Sequence, residues 1–269
     1  MMPRPHVWIA IAGMTLLSCL AHANLRAPIE SPEESSQVLR PASPDLVVEY
    51  ENLFFDLGTP YSGDAWTVRN QKRLARIEAE YAVQSPREAT YTFEFVMPQA
   101  NRAEVSINAA SVPAKAPELL PRDEKKREQP DSWKVAFTGK LQQGLNIIRV
   151  SYQQPLGMHE VDYGYFKSSK WKSFVDYELW PLKGWTLGPD FRINVETSVD
   201  DDTFVIKRWF ASRHTVKALA LLAELVADYS YWRELEIGGG QVVRGDGKIK
   251  HRLLLGREFP DRLRVSSTE

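Results

Sequence analysis

The chain has 269 residues, with 34 Lys and Arg against 35 Asp and Glu, one cysteine, 43% apolar residues and 11% aromatic ones. That length suits one or two domains with a proper core, and a net charge of −1 supplies no general attraction for nucleic acid or an anionic membrane surface. A single cysteine excludes an intramolecular disulfide framework and any thiolate-based zinc or iron–sulfur site.

Residues 1–23 read as a signal peptide. Arg4 gives a charged start, Val7 to Leu17 an apolar run, and Ala21-His22-Ala23 the small residues that a signal peptidase reads, so the mature chain is expected to begin at Asn24. The run is too short for a bilayer span, which takes ~20 apolar residues, and no transmembrane helix is expected in the mature chain. The expected location is the periplasm or outside the cell. An alternative processing is lipidation: Cys19 follows Leu16-Leu17-Ser18, which resembles the lipobox of bacterial lipoproteins, although Leu17 is bulkier than usual there. A lipid anchor at Cys19 would leave residues 24–44 as a tether. That stretch carries four prolines, several serines and three glutamates and reads as a disordered linker.

From Leu46 the dominant period is two. Ala75, Ile77, Ala79, Tyr81 and Val83 alternate with Arg76, Glu78, Glu80 and Ala82, and Tyr91, Phe93, Phe95 and Met97 with Thr92, Glu94 and Val96, as in strands with one apolar face. Between them Gln84–Glu88 suits a hairpin loop. Leu46–Phe55, Glu104–Asn108, Trp133–Thr138 and Leu145–Tyr152 are further strand candidates, with a short turn in Gly139–Gly144. The pattern predicts a mainly β protein whose residues 45–154 form an antiparallel β-sandwich. Residues 113–131, rich in proline and charge, read as a solvated loop.

Residues 155–269 predict a second β-rich domain, after a boundary near Gln153–Gly157. Residues 159–191 are dense in aromatics, and Arg192–Thr197 and Phe204–Phe210 read as strands. Thr215–Ala227 has Val216, Leu219, Leu222, Leu225 and Val226 at helical spacing. Val242–Arg244 and Lys248–Leu255 flank Gly245-Asp246-Gly247, a hairpin signal. A last strand is expected around Leu263–Val265. The stretch from Trp185 through Gly188-Pro189-Asp190-Phe191-Arg192, with Phe95-Val96-Met97-Pro98 upstream, resembles segments of exported bacterial β-sandwich proteins of uncharacterised function. The resemblance runs in fragments over residues 75–200; it implies that architecture and assigns no site.

Three kinds of chemistry can be weighed. Ser169-Lys170-Trp171-Lys172 fits the S-x-x-K of penicillin-recognising enzymes and Ser106-Ile107-Asn108 fits S-x-N, but the order is reversed, no K-T-G follows, and the serine is not set on a helix. No catalytic residue is assigned. His159, His214 and His251 lack ligand spacing, which leaves Asp200, Asp201 and Asp202 as the candidate metal site, for calcium, unless they form a solvated turn. Tyr163, Tyr165, Trp171, Tyr177, Trp180 and Trp185 are the candidate ligand-binding residues, since a flat exposed ring covers the apolar face of a sugar; the competing expectation is that alternating rings face the core. Arg244-Gly245-Asp246 is accounted for by the hairpin, and Gly238-Gly239-Gly240 by a linker.

The function these features predict is an exported, non-catalytic, envelope-associated binding or scaffolding protein. It would bind polysaccharide or an envelope protein through the aromatic segment. The alternative is a hydrolase of cell-wall or extracellular polymer, which needs two carboxylates across a cleft or a serine within reach of its base. Pairing through an open edge strand is a third route to a partner.

Overall fold

The structure, a computed structural model, describes residues 35–37, 39–61, 63–99, 102–121, 131–162, 170–200, 234–236, 241–245 and 248–268. Among these it is mainly β. In chain order the strands are β1 (Ser35–Gln37), β2 (Val47–Asp56), β3 (Leu74–Ser85), β4 (Ala89–Met97), β5 (Glu104–Ile107), β6 (Ala110–Val112), β7 (Glu118–Leu119) and β8 (Trp133–Leu141). There follow β9 (Gly144–Pro155), β10 (Gly157–Asp162), β11 (Lys170–Glu178), β12 (Thr186–Asp200), β13 (Glu234–Glu236), β14 (Gln241–Gly245), β15 (Lys248–Leu255) and β16 (Arg262–Thr268). The short helix α1 (Ala65–Arg69) begins where Asp64 Oδ1 accepts the Thr67 N–H at 2.9 Å. A 3₁₀ turn occupies Trp180–Gly184. No helix among the described residues is long and apolar enough to cross a membrane. The helix expected at 215–227 and the strand at 204–210 lie outside the described residues.

The strands form three sheets. Eight run in the order β14-β15-β12-β2-β3-β9-β5-β6, three in the order β4-β8-β7, and five as β1-β11-β16-β13 with β10 beside β11. The period-two pattern decides which face of the large sheet is buried. Ala75, Ile77, Ala79, Tyr81 and Val83 of β3 turn inward and are buried, while Arg76 is exposed and Glu78 and Glu80 are half-buried. The two smaller sheets cover that inner face. Phe95 of β4 meets Tyr152 of β9 at 5.8 Å, and Tyr177 of β11 stands edge-on to Phe55 of β2 at 5.6 Å. Each such buried side chain contributes roughly 1.5–3 kcal/mol.

This arrangement corrects two local expectations. β3 pairs with β2 and β9, but β4 pairs with β8, so the Gln84–Glu88 stretch crosses between sheets instead of closing a hairpin. The turn from β8 to β9 does the same; there Asn146 is fully buried and donates to the Gln142 and Gly144 carbonyls, each at 2.9 Å. Both loops suit either outcome by length, and the buried faces of Phe93, Phe95 and Phe137 decide it. The sandwich is also not wholly antiparallel: β2 pairs parallel with β12 and β1 parallel with β11. A parallel neighbour requires a long crossover, which the chain between β2 and β12 supplies. Strands from both sides of residue 155 therefore share the eight-stranded sheet.

The linker expectation needs correction over residues 35–44. Leu39 is buried, the Arg40 N–H donates to the Glu94 carbonyl at 2.8 Å, and β1 lies along β11. Trp185 Nε1–H donates to the Leu39 carbonyl at 2.8 Å. An apolar residue and backbone partners on two sheets offset the ordering cost of a proline-rich segment. Residues 1–34, which include the expected signal peptide, lie outside the described residues.

Candidate functional site

The aromatic residues singled out in the sequence do not form one exposed surface. Trp171, Tyr177 and Trp185 are 0%, 1% and 5% exposed, so the expectation of ligand-facing rings is corrected for these three. For Trp171 and Tyr177 the reason is that β11 is covered on both faces, with every residue from Ser173 to Tyr177 buried; Trp185 follows the 3₁₀ turn and is tied to the Leu39 carbonyl. Trp171 donates its Nε1–H to the Gly63 carbonyl at 2.8 Å, and Tyr177 lies 3.2 Å from the Tyr81 hydroxyl. Trp180 differs. It is 45% exposed and lines a shallow cleft of about 860 Å³ with Arg40, Pro41, Thr92 and Glu94. Tyr163 and Tyr165 lie outside the described residues.

Of the acidic candidates, Asp200 lies among the described residues. Asp200 accepts from Thr59 Oγ1 at 2.9 Å, and Lys248 Nζ lies 2.9 Å from Asp56 Oδ2 and 3.8 Å from Asp200 Oδ1. An ammonium thus stands between the two carboxylates. Burial alone raises the Asp56 carboxyl, but hydrogen bonds from Lys248, Ser198 and the Gly58 N–H outweigh it and hold the group below its ordinary range. Asp201, Asp202 and Cys19 lie outside the described residues. Among the described residues no three His, Cys, Asp or Glu gather as metal ligands do. Lys172 belongs to strand β11, and Ser169 lies outside the described residues. Burial lowers the His251 imidazole.

A groove of about 1410 Å³ lies on the outer face of the eight-stranded sheet. Its floor comes from four central strands, β9, β3, β2 and β12. Arg149, Glu80, Asn52 and Asn194 stand side by side across them. Arg149 Nε donates to Glu80 Oε2 at 2.6 Å, Asn52 Nδ2 to Glu80 Oε1 at 2.9 Å, and Asn194 Nδ2 to Asn52 Oδ1 at 2.7 Å. The next row carries Ser151, Glu78, Phe54 and Glu196. Glu78 pairs with Arg76 at 2.5 Å and Glu196 with Arg252 at 2.8 Å. Ala103–Ser106 and Ser111–Pro117 form one side.

Two properties follow from this geometry. Four basic side chains line the groove, Arg76, Arg102, Lys115 and Arg149, against four carboxylates, Glu78, Glu80, Glu104 and Glu196, so its formal charge is zero. The floor is also held in place before any ligand arrives, because each planar group is fixed by its cross-strand neighbour. These residues are the polar half of the sheet's alternation, visible in the sequence only as a solvated face. What hides the groove is the register that sets Asn52 beside Asn194, 142 residues away.

No family model and no curated protein matches the chain. Among solved structures it is similar to one from Legionella pneumophila, named a candidate nutrient-binding protein, at 12% identity and a TM-score of 0.51, over 88% of this chain and 72% of that one. A zinc metallopeptidase from Deinococcus radiodurans follows at 10% identity and a TM-score of 0.38, over 82% of this chain and 42% of that one, a likeness too distant to carry an argument. The first similarity is one of fold.

Proposed function

We propose that the protein is an exported, envelope-associated binding protein that holds its ligand in the outer groove and does no chemistry on it. The observation that carries this reading is the row of Arg149, Glu80, Asn52 and Asn194, a hydrogen-bonded polar floor to a groove of about 1410 Å³. Ligand sites pair a concave shape with a few fixed polar groups, and this groove has both. The Legionella pneumophila structure's name, which refers to nutrient binding, agrees with such a role. Export rests on the signal-like residues 1–23 and on the small residues at Ala21 and Ala23.

The hydrolase alternative needs two carboxylates available across the cleft, and Glu78 and Glu196, on either side of Phe54, are each ion-paired, to Arg76 and Arg252. A general acid works with a raised pKa in contact with substrate. Burial pushes the Glu51 carboxyl up to about 8, but it lies fully buried on the inner face of the sheet, where no polymer reaches.

A retention experiment tests the binding role. The purified protein is passed over insoluble cell-wall sacculi and immobilised polysaccharide, beside the variant Ser151→Arg, which places a long cation on the groove floor. Retention of the wild type and loss of retention in the variant, with unchanged circular dichroism, is the expected result. Equal behaviour of the two proteins overturns the groove as the ligand surface.

A further inference from the structure

We infer that the groove takes a neutral glycan chain, with Phe54 as the stacking platform. This rests on the reading of the groove as the ligand surface and adds the ligand's chemistry. Phe54 projects from the outer face of β2, partly exposed, directly between Glu78 on β3 and Glu196 on β12. An aromatic face flanked by carboxylates matches a sugar ring, whose C–H face is apolar and whose rim carries hydroxyls. The hydroxyls can donate to Glu78 and Glu196, and they can both donate to and accept from the amides of Asn52 and Asn194.

Charge selects against ionic ligands. Glu78, Glu80 and Glu196 are each ion-paired, to Arg76, Arg149 and Arg252. Arg102 and Lys115 stand off this row, beside and on the groove wall, so over Phe54 a phosphate or uronate would have to break one of these pairs to gain a cation, whereas a neutral hydroxyl adds to them. Backbone topology selects against an extended peptide. All four floor strands have a hydrogen-bonded neighbour on both sides, so the floor offers no free edge for strand addition. The volume exceeds the ~300–1,000 Å³ usual for a single small ligand and suits several linked sugar units.

Calorimetric titration of the full protein with cellohexaose, maltohexaose and chitohexaose tests this, beside hexagalacturonate and a neutral Ser/Ala hexapeptide. The expected result is that at least one neutral hexasaccharide binds. Its affinity should fall about tenfold or more in Phe54→Ala, fall again in Glu196→Gln, and change less than about twofold between about 50 and about 500 mM salt. Phe54 lies on the outer face, so its loss leaves the core intact, and Glu196→Gln keeps shape if Phe54→Ala fails to fold. Tighter binding of hexagalacturonate or the peptide, still abolished by Ser151→Arg, overturns the neutral-glycan assignment and leaves the groove reading standing. Binding of a neutral hexasaccharide that is unchanged in Phe54→Ala, Glu196→Gln and Ser151→Arg overturns both. So does the absence of binding by all five probes combined with equal retention of the wild type and Ser151→Arg on sacculi.

Discussion

Glu51 on β2 is the direct cross-strand partner of Tyr81 on β3, and its carboxyl group is fully buried. The Tyr81 hydroxyl accepts the Leu39 N–H at 3.1 Å and lies 3.2 Å from the Tyr177 hydroxyl. It draws the Glu51 pKa down in part but makes no hydrogen bond of good geometry to either carboxyl oxygen. That hydroxyl joins the two sheets and the N-terminal segment at one point. The buried carboxyl beside it is a liability, because removal from water penalises its charged form.

The consequence is a stability that falls as pH rises. Burial pushes Glu51 up to about 8 from 4.5. Below about pH 4.5 both folded and unfolded chains hold the proton and no penalty exists. Between there and pH 8 the unfolded chain releases it while the folded one does not, so folding loses up to ~1.4 kcal/mol per pH unit. Glu51→Gln removes the titration. Urea denaturation from pH 4 to 9 should show the variant gaining on the wild type across that window, by on the order of 4 kcal/mol at the top, and level beyond it. Parallel curves for the two proteins would rule out a buried neutral carboxyl.

Trp185 and Trp180 are neighbours in sequence with opposite roles. Trp185→Phe loses the bond to the Leu39 carbonyl and part of a buried ring, at a cost of about 2 kcal/mol. Trp180→Ala removes a ring that is nearly half exposed and should cost under ~1 kcal/mol. Urea midpoints of the two variants measure the difference. Trp185→Phe should also speed proteolysis within residues 35–45, since that segment is tied down by the indole. A Trp180 variant as unstable as the Trp185 one contradicts this division.

The strands of the large sheet were legible because one face of each is wet: β3 reads apolar, polar, apolar, polar from Ala75 to Glu80. Strand β11 was not, since a strand covered on both faces and a ligand platform share the same aromatic composition. Trp171 and Tyr177 could be placed only by knowing what lies over them. Sheet membership was hidden as well. The links at Gln84–Glu88 and Gln142–Gly144 are equally good hairpins and arches, and long-range packing of Phe95 on Tyr152 chooses between them. The groove depends on the parallel pairing of β2 with β12, which no local pattern encodes.

Asp176 and Arg264 form a two-point pair, with Nε to Oδ1 and Nη2 to Oδ2 both at 2.7 Å. The carboxylate is fully buried, whereas the Arg264 side chain is 42% exposed. Losing the arginine therefore strands a buried charge, with Arg262 at 3.5 Å left to answer it. Losing the carboxylate charge frees a guanidinium that can still reach water. Arg264→Met should cost about 3 kcal/mol and Asp176→Asn about half that, as read by urea denaturation at neutral pH. Equal costs, or the reverse order, would show that the pair is not asymmetrically buried.

The pair of Lys248 and Asp56 carries a pH dependence of the opposite sign to that of Glu51. Burial alone would raise the Asp56 carboxyl, but Lys248, Ser198 and Gly58 together hold it below 3.8. The stabilisation is present above the unfolded pKa and is lost as pH falls through the lower folded value. Lys248→Met removes the cation and leaves the serine and backbone bonds. Because both partners are roughly one-third exposed, the loss should be about 1 kcal/mol at pH 6. It should shrink as pH falls below 3.8 and Asp56 takes up its proton with or without the lysine. Denaturation at neutral and at acid pH separates this from a packing loss, since a methionine that merely fits badly costs the same at both.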